Sequence, residues 1–304
     1  MSKKHINSPL LSVVIPVFNR PMDLVRTLDS LVSQTEKNFE VIVVDDGSSE
    51  NIKIVIDEYI AILNLKFIRI DNSGGPARPR NVGIRASQAN WISLLDSDDW
   101  WCQTRIAEVC VAITKHPNYD IFYHQLKVVS DDRNIKWWSK KSLGSQLSDD
   151  AFVDLMTLGN ALPNSSVVVH KSLFDKFGYI NESREFSSVE DFDCWLMLAQ
   201  NKCTFYFINK QLGFYWLSST GISANPLRTV QCNKLILDKY IIHLNGGVRE
   251  AAISKFNYFA GSVLYSAGSF SEAMNYFSRA ERLVGFNLKA KRWLKILRIY
   301  LGLK

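Results

Sequence analysis

The sequence predicts an α/β protein with a Rossmann-like, mostly parallel central sheet flanked by helices, followed by an all-helical C-terminal extension. Apolar, β-branched runs alternate with helical periodicity through the first third of the chain, which is typical of right-handed strand–helix–strand crossovers. The strand pattern ends near Asn225, and only helical periodicity follows. Polar residues and glycines gather where the strands end, the place at which open α/β sheets bind ligands.

The strands are predicted from continuous apolar runs, which are typical of strands covered on both faces. LLSVVIPV near the N-terminus shows this pattern most clearly. The predicted strands are 10–17, 39–46, 65–70, 90–95, 119–124, 165–170 and 204–208.

The helices are predicted from apolar residues at helical spacing between these strands. Ser48 or Ser49 is the expected N-cap of the second helix, and Ser187 or Ser188 that of a later, acidic helix. A helix is also expected at 100–116, directly after an aspartate cluster. The C-terminal helices are expected at 228–243, 249–266, 270–283 and 288–301.

Composition limits the class of protein. The chain has 304 residues, 47% of them hydrophobic, which is enough for one large domain or for a domain with an appendage. The formal net charge of +6 favours an anionic partner such as a nucleotide, a nucleic acid or an acidic lipid. Five scattered cysteines without a C-x-x-C pair favour a reducing cytoplasm. Pro16 interrupts the first apolar run, so we expect a strand there rather than a signal peptide, and no stretch reaches transmembrane length.

Four predicted strands are followed by acidic, basic or glycine residues. Each group has a simple structural explanation when taken alone, such as helix capping by the acidic residues or solvation of the basic ones. Because the groups should meet at one sheet edge, a ligand site is favoured over four unrelated turns. They are Asn19 and Arg20; Asp45, Asp46 and Gly47; Gly74, Gly75, Arg78 and Arg80; and Asp96, Ser97, Asp98 and Asp99.

The aspartate cluster in WISLLDSDDWW allows two interpretations. It could be a capped turn before the next helix, since Asp and Ser favour such positions. Alternatively, carboxylates two residues apart can hold one hard cation and leave coordination positions for water and phosphate oxygens. The three like charges repel one another without a cation, so the joint pattern favours a metal site.

Other ligand motifs are missing from the sequence. It has no G-x-x-x-x-G-K-[ST] loop, no G-x-G-x-x-G after a strand, no G-x-S-x-G elbow and no H-E-x-x-H pair. A second acidic group, Glu190 and Asp191, begins a helix farther along the chain. It could serve only the helix dipole, or it could supply a general base if its segment folds over the sheet edge.

In this order and spacing, the segments resemble glycosyltransferase family 2, whose members are inverting, nucleotide-sugar-dependent enzymes with the GT-A fold. The resemblance implies a GT-A catalytic domain at 1–225, with a nucleotide-sugar half at about 10–124 and an acceptor half at about 125–225. Residues 226–304 would form a helical extension with a basic amphipathic end. The matching stretches are SVVIPVFNRPMDLVRTLDSLVSQT, FEVIVVDDGS, NSGGPARPRNVGIRAS, WISLLDSDDWW, VVVHKSLFDKFGYI and VEDFDCWLML.

The resemblance also implies roles for individual residues. One of Asp45 and Asp46 would hydrogen-bond the base, most often uracil, and Arg80, with Arg78 as a nearby alternative, would lie near the base and diphosphate. The full implied nucleotide-sugar set is Pro16, Val17, Asn19, Arg20, Asp45, Asp46, Arg78, Arg80, Asp96 and Ser97.

A metal and a catalytic base complete the implied site. Mn²⁺ or Mg²⁺ would be held chiefly by Asp98, with Asp96 toward the ribose or sugar, while Asp99 either assists or caps the next helix. Asp191, with Glu190 as its neighbour, would take the proton of the acceptor hydroxyl while that oxygen attacks the anomeric carbon. A single in-line displacement then inverts the anomeric configuration.

The implied partners are a nucleotide-sugar donor, with UDP-sugars favoured, and a glycan or polyprenyl-diphosphate-linked saccharide acceptor. Such a hexosyl- or N-acetylhexosaminyltransferase would suit O-antigen, capsule or other surface-polysaccharide synthesis. No nucleic-acid partner is expected. The segment 288–304 interleaves basic and apolar residues, so it is either a final helix with a solvated basic face or an interfacial helix on anionic lipid. The second interpretation would place a cytoplasmic protein peripherally at the inner face of the plasma membrane.

One position departs from the family pattern. Trp216 follows Tyr215 where many relatives carry arginine or histidine, so a diphosphate contact from there would fall to weaker donors at Ser218, Ser219 or Thr220. Two alternative functions stay open. A sugar nucleotidyltransferase would need a glycine-rich loop where this chain has PVFNR, and a catalytically inactive nucleotide-sugar-binding module would not need the retained carboxylates.

Overall fold

Nine strands form one mixed sheet in the computed structural model, which describes residues 8–130, 142–217 and 225–302. Parallel ladders join β3–β2–β1–β4 and β6–β9, and short antiparallel ladders join β5, β7 and β8 to the sheet. The strand order is β3-β2-β1-β4-β8-β6-β9-β5, with β7 beside β6. The strands are β1 Leu11–Val17, β2 Phe39–Asp45, β3 Leu65–Arg69, β4 Trp91–Leu94, β5 Trp100–Trp101, β6 Ile121–Val129, β7 Ser142–Leu143, β8 Val168–His170 and β9 Phe205–Trp216.

Helices cover both faces of the sheet, as predicted. One face packs against α1, α2 and α4, and the other against α3, α5, α6, α7 and parts of α8 and α9. Every residue of β1 and β2 is buried, which explains their continuous apolar sequences. The helices are α1 Pro21–Val32, α2 Ile52–Tyr59, α3 Ala77–Ala86, α4 Arg105–Lys115, α5 Ala151–Leu158, α6 Ser172–Phe177, α7 Glu190–Gln200, α8 Pro226–Tyr240, α9 Gly246–Ser266, α10 Phe270–Ser278 and α11 Phe286–Tyr300.

The helix predicted at 100–116 begins later than expected. Trp100 and Trp101 form strand β5, which pairs antiparallel with Phe214 and Gly213 of β9. Helix α4 therefore begins only at Arg105. The expectation was wrong because the partner strand lies more than one hundred residues away, and a local periodicity cannot reveal such a pairing.

The predicted serine caps were also wrong. Helix α2 begins after Asn51, and α7 after Val189, in both cases without a side-chain capping hydrogen bond. Ser48 instead accepts a hydrogen bond from the Asn19 backbone N–H, so it ties two loops together. Helix α3 begins at Ala77, which puts Arg78 and Arg80 on a helix rather than in the preceding loop.

The C-terminal helices pack partly on the sheet-bearing part of the chain and partly on one another. Cys232, Ile236 and Tyr240 of α8 belong to the core that covers one sheet face. A separate apolar cluster joins α9, α10 and α11. Across the described ranges, no helix combines the length and the apolar character needed to span a bilayer.

Candidate active site

A cleft of about 890 Å³ opens at the carboxyl ends of β1, β2 and β4. Parallel strands deliver their following loops to this edge, so the position agrees with the general rule for open α/β sheets. Residues from α3, α7 and the end of β9 complete its wall. The predicted site residues that line it are Pro16, Val17, Arg20, Asp46, Arg80, Asp96, Ser97, Asp98, Asp99, Glu190 and Asp191.

The turn Asp96–Asp99 follows β4 and is held from behind by α1. The Thr27 hydroxyl lies 2.9 Å from the Ser97 carbonyl oxygen and 2.7 Å from that of Asp99. Arg26 donates a hydrogen bond of 2.8 Å to the Asp98 carbonyl oxygen. These contacts use the backbone oxygens of the turn and not the carboxylates of Asp96 and Asp98, which line the cleft.

Arg80 bridges the aspartate turn and the acidic start of α7. Its Nη2 lies 2.7 Å from Asp96 Oδ1, and its Nη1 lies 2.6 Å from Glu190 Oε1. Arg80 and Glu190 are almost fully buried, and a broken pair of this kind would leave an uncompensated charge. Asp96 and Glu190 together raise the pKa of Arg80, although burial alone would lower it. The bridge joins parts of the chain that are about one hundred residues apart.

Asp98 carries a carboxylate that is only partly compensated. Arg20 Nη1 lies 2.5 Å from Asp98 Oδ2, and this arginine also lies near Asp23. Burial and then repulsion from Asp96 raise the pKa of Asp98 to about 6, against the opposing effect of Arg20. A cation in the cleft would relieve this repulsion.

Asp99 is almost fully buried and contacts the backbone of β9. Its Oδ1 accepts a hydrogen bond of 2.8 Å from the Trp216 backbone N–H, so the carboxylate fixes the end of β9. Burial raises the pKa of Asp99 well above its ordinary value, and repulsion from Asp96 and Asp98 adds to this. The sequence left open whether Asp99 assists the metal or caps the next helix. Because α4 begins at Arg105, Asp99 does not cap that helix.

The donor chemistry of the cleft fits a hard divalent cation. Asp96 and Asp98 present carboxylate oxygens at one end of the cleft, and Mg²⁺ or Mn²⁺ prefers such oxygen ligands. Throughout the described residues, however, no three His, Cys, Asp or Glu side chains converge on one point. An ion held by one or two carboxylates would therefore need further oxygen ligands, such as phosphate oxygens and water.

Asp191 lies at the N-terminal end of α7 and faces the cleft. Its Oδ1 accepts a hydrogen bond of 2.7 Å from the Phe192 N–H, while Glu190 Oε2 accepts one of 2.7 Å from the Ser188 N–H. Burial and then repulsion from Glu190 raise the pKa of Asp191 to about 7, opposed by Arg80. Such a carboxyl group can exchange a proton near neutral pH.

The two aspartates after β2 are separated by the structure. Asp46 lines the cleft and accepts hydrogen bonds from the backbone N–H and hydroxyl group of Ser73. Asp45 is fully buried outside the cleft lining, where it accepts from Arg69 at 2.6 Å and from the Ser48 N–H. The sequence left open which of Asp45 and Asp46 could contact a ligand. Of the two, only Asp46 lines the cleft, where a ligand can reach it.

Two further predicted residues lie outside the cleft lining. Arg78 is exposed on α3. Asn19 adopts a positive φ of 52°, and its side-chain oxygen accepts from the backbone N–H groups of Ser49 and Glu50. Asn19 thus fixes the loop beside Arg20, which is a role in shaping the cleft rather than in lining it.

The sequence did not identify several residues that contact the aspartate turn or the end of β9. Asn164 donates a hydrogen bond of 2.9 Å to Asp96 Oδ1, and the Ser165 hydroxyl accepts one from the Asp96 N–H. No motif marks these two positions. Arg26 was also missed, although its guanidinium contacts the rings of both Trp100 and Trp216, at 4.5 and 4.6 Å from their centroids. The one signal in the sequence was Trp216 itself, which stands where many family members carry arginine or histidine. The donors suggested at Ser218, Ser219 and Thr220 lie outside the described residues.

The sequence is similar to those of known glycosyltransferases. The pattern that defines "Glycosyl transferase family 2" matches residues 12–178, more than half of the chain. An uncharacterized glycosyltransferase of Haemophilus influenzae is 28% identical over 235 residues, which is 76% of this chain and 77% of that protein. The poly(ribitol-phosphate) beta-N-acetylglucosaminyltransferase TarS of Staphylococcus aureus is 32% identical over 122 residues, which is 39% of this chain but only 21% of TarS.

Solved structures share the fold at low sequence identity. A crystal structure of S. aureus TarS residues 1–349 superposes with a TM-score of 0.60 at 22% identity and covers 95% of this chain and 79% of that one. The same fragment has been solved in complex with UDP-GlcNAc, with a TM-score of 0.57 at 16% identity, covering 96% and 92% of the two chains. The mannosyltransferase PcManGT of Pyrobaculum calidifontis, in complex with GDP-Man and Mn²⁺, gives 0.62 at 14% identity, covering 97% and 81%. These glycosyltransferases have the GT-A fold, so the predicted fold class is confirmed.

Proposed function

Because the chain belongs to glycosyl transferase family 2 and is therefore a glycosyltransferase, we propose that it moves a sugar from a UDP-sugar to an acceptor hydroxyl group, with inversion and with divalent-metal assistance. The observation that carries this proposal is the Arg80 bridge. It brings the carboxylates suited to a metal and the raised-pKa carboxyl of Asp191 to one cleft. Transfer between two bound substrates needs both groups within reach of one reaction centre.

The donor would lie along the edge formed by β1, β2 and β4. Asp46 is the accessible acceptor for a base N–H, and the backbone of Pro16 and Val17 borders the same part of the cleft. Arg20 carries a charge that suits a diphosphate, and it lies next to Asp98. A nucleoside diphosphate sugar therefore meets complementary groups along its length, with UDP favoured by the solved complexes of TarS with UDP and UDP-GlcNAc.

A metal ion fits the same end of the cleft. Mn²⁺ or Mg²⁺ bound by Asp98 and Asp96 would neutralise the diphosphate as it departs with negative charge. The structure of the related mannosyltransferase with GDP-Man and Mn²⁺ supports this part of the proposal by analogy. Within this chain, Asp99 and Arg26 would hold the turn in place and would not contact the donor.

Asp191 would act as the general base. Its carboxylate would accept the proton of the acceptor hydroxyl while the oxygen of that group attacks the anomeric carbon from the face opposite the diphosphate. Glu190 would not take this role, since both of its carboxylate oxygens are already engaged by Arg80 and by the Ser188 N–H. Glu190 would instead fix the start of α7, and so the position of Asp191.

For the acceptor, we propose a glycan or a polyprenyl-diphosphate-linked saccharide used in surface-polysaccharide synthesis. A lipid-linked acceptor is held at a membrane, so the protein would work from the cytoplasm at the inner face of the plasma membrane. Leu143, Gly144 and Asn160 border the cleft on the side away from β2 and are the nearest described groups for such an acceptor. The division into a catalytic domain at 1–225 and an extension at 226–304 stays a prediction.

The donor can be identified by thermal shift with a panel of UDP-, GDP- and dTDP-sugars, each with and without Mn²⁺. We expect a UDP-sugar to raise the melting temperature, with a larger shift when Mn²⁺ is present, because a ligand of the folded state stabilises it. Asp98→Ala should abolish the Mn²⁺-dependent part of the shift, whereas Asp57→Ala, on the exposed face of α2, should not. A metal-independent shift that Asp98→Ala leaves unchanged would contradict the metal assignment. Release of diphosphate from a sugar-1-phosphate and a nucleoside triphosphate would favour the nucleotidyltransferase instead, and donor binding without turnover the inactive module.

A further inference from the structure

Helix α11 has an unusual distribution of apolar and basic residues. Ile296 is buried, and Leu288 and Ile299 pack against the apolar cluster shared with α9 and α10. A helix held in this way normally exposes its charged residues on the opposite side. The opposite side of α11 is instead apolar. Its exposed members are Phe286, Trp293, Leu294, Leu297, Tyr300 and Leu301.

These six residues form a single face, which we call the outer face of α11. Their spacings of three, four and seven residues place them on one side of a helix. Phe286 is 83% exposed, Tyr300 76% and Trp293 62%, so they are not covered by the rest of the described chain. A contiguous exposed face of this kind marks an interaction site more often than it marks ordinary surface.

The basic residues of α11 are divided between two roles. Arg292 donates a hydrogen bond of 2.6 Å to the Phe277 carbonyl oxygen, and Lys295 lies over the rings of Tyr258 and Tyr265. These two cations are thus turned toward the protein. The other three are exposed and lie along the edges of the outer face, with Lys289 on one side and Lys291 and Arg298 on the other.

We propose that the outer face of α11 binds the surface of an anionic lipid bilayer. Aromatic and aliphatic side chains flanked by cations are the pattern of a helix that lies in the membrane interface, with the apolar face in the acyl boundary and the cations at the headgroups. No acidic residue occurs between Phe286 and Gly302, so the charge of the helix matches an anionic surface throughout. α11 would lie on the bilayer and would not cross it, in keeping with its length and charge.

The proposed function explains only why membrane binding would be useful: it would bring the transferase to a lipid-linked acceptor. The structural argument itself depends on α11 alone. A second copy of the chain is a weaker occupant of the outer face, because two such helices would bring their cationic edges together.

The test is co-sedimentation of the full chain with vesicles of phosphatidylcholine alone or of equal parts phosphatidylcholine and phosphatidylglycerol. We expect binding to the mixed vesicles that weakens with added salt, and little binding to phosphatidylcholine alone. Trp293→Ser with Leu297→Ser should weaken binding at least about 10-fold, since two large apolar groups no longer enter the bilayer. Lys291→Glu with Arg298→Glu should also weaken it by about 10-fold or more.

The matched control is Leu227→Ser with Ile242→Ser, which removes two equally exposed apolar side chains outside α11 and should leave vesicle binding unchanged. Equal binding by wild type and by the Trp293/Leu297 variant would overturn the inference. The inference would also be overturned if the wild type were a dimer in analytical ultracentrifugation and the Trp293/Leu297 variant were a monomer. UDP-sugar binding measured without vesicles is expected to be normal in all of these variants. If the wild type itself bound no UDP-sugar, that result would count against the proposed function and not against the inference that α11 binds a membrane.

Discussion

At the scale of single residues, Asp191 is the proposed catalytic group, and the cleft disfavours its charged form. In the part of the chain that the structure describes, Glu190 has an ion pair with Arg80, whereas no ion pair joins Asp191 to a cation. The pKa of Asp191 is raised to about 7 from an ordinary value near 4, so the folded protein binds this proton more tightly than the unfolded chain does. Catalytic fitness and stability are therefore opposed at this position.

Asp191→Asn should stabilise the protein while removing the base. In the wild type, Asp191 is protonated in both the folded and the unfolded state below about pH 4. As the pH rises from about 4 to about 7, the unfolded chain loses this proton first, so the free energy of unfolding of the wild type falls, whereas that of the variant has no such term. The variant should match the wild type near pH 4 and exceed it above pH 8, by roughly 1–2 kcal/mol after allowance for partial solvent screening. Urea unfolding at several pH values measures this difference.

Asp193→Asn is the control for this prediction, because the same change on the same helix has the opposite expected sign. Asp193 accepts from Lys239 and from the Tyr240 hydroxyl group, so neutralising it should destabilise the protein at neutral pH. If Asp191→Asn were less stable than the wild type above pH 8, the folded protein would not disfavour the charged form of Asp191, and the prediction would be wrong.

At the scale of elements, the first turn of α7 is held by two other helices, α3 and α8. Arg80 pairs with Glu190, and α8 contacts Asp193, which lies 2.7 Å from Lys239 Nζ and 2.9 Å from the Tyr240 hydroxyl group. Cys232 of α8 also lies beside the Ser187 carbonyl oxygen, just before α7. Helix α8 thus supports the helix that carries the proposed base.

Lys239→Met should lower the free energy of unfolding by about 1–3 kcal/mol, since the buried Asp193 loses a charged hydrogen-bond donor. We also expect a lower kcat with little change in the KM for the donor, because α7 moves while the donor-binding strand ends do not. Lys234→Met is the matched control, since its pair with Asp238 is exposed on the same helix and should contribute at most about 0.5 kcal/mol. Equal urea midpoints for both variants would show that α8 does not hold α7.

The elements of the first third were predictable, because their signals are local. β1 and β2 are buried on both faces and are mostly apolar in sequence, and the aspartate turn follows a strand as expected. β5 was not predictable, since two tryptophans become a strand only by pairing with Phe214 and Gly213. The antiparallel insertion of β8 between β4 and β6 was hidden for the same reason.

At the scale of the whole molecule, the sequence predicted which residues form the site but not which residues they contact. The carboxylates at 96, 98 and 191 were identified from motifs, and they do line one cleft. Their partners lie far away in sequence: Arg20 is 78 residues from Asp98, and Trp216 is 117 residues from Asp99. Neither separation leaves a periodic signal, so the division of roles within the aspartate cluster required the folded chain.

The measurement that most directly tests the proposed activity is sugar transfer by wild type and by Asp191→Asn, using the UDP-sugar identified by thermal shift and Mn²⁺. Wild type should release UDP in the presence of acceptor. The variant should bind the donor with unchanged affinity but turn over at least about 100-fold more slowly, because the acceptor proton has no base to receive it. Turnover at the wild-type rate in Asp191→Asn would contradict the placement of the reaction between Asp191 and the aspartate turn.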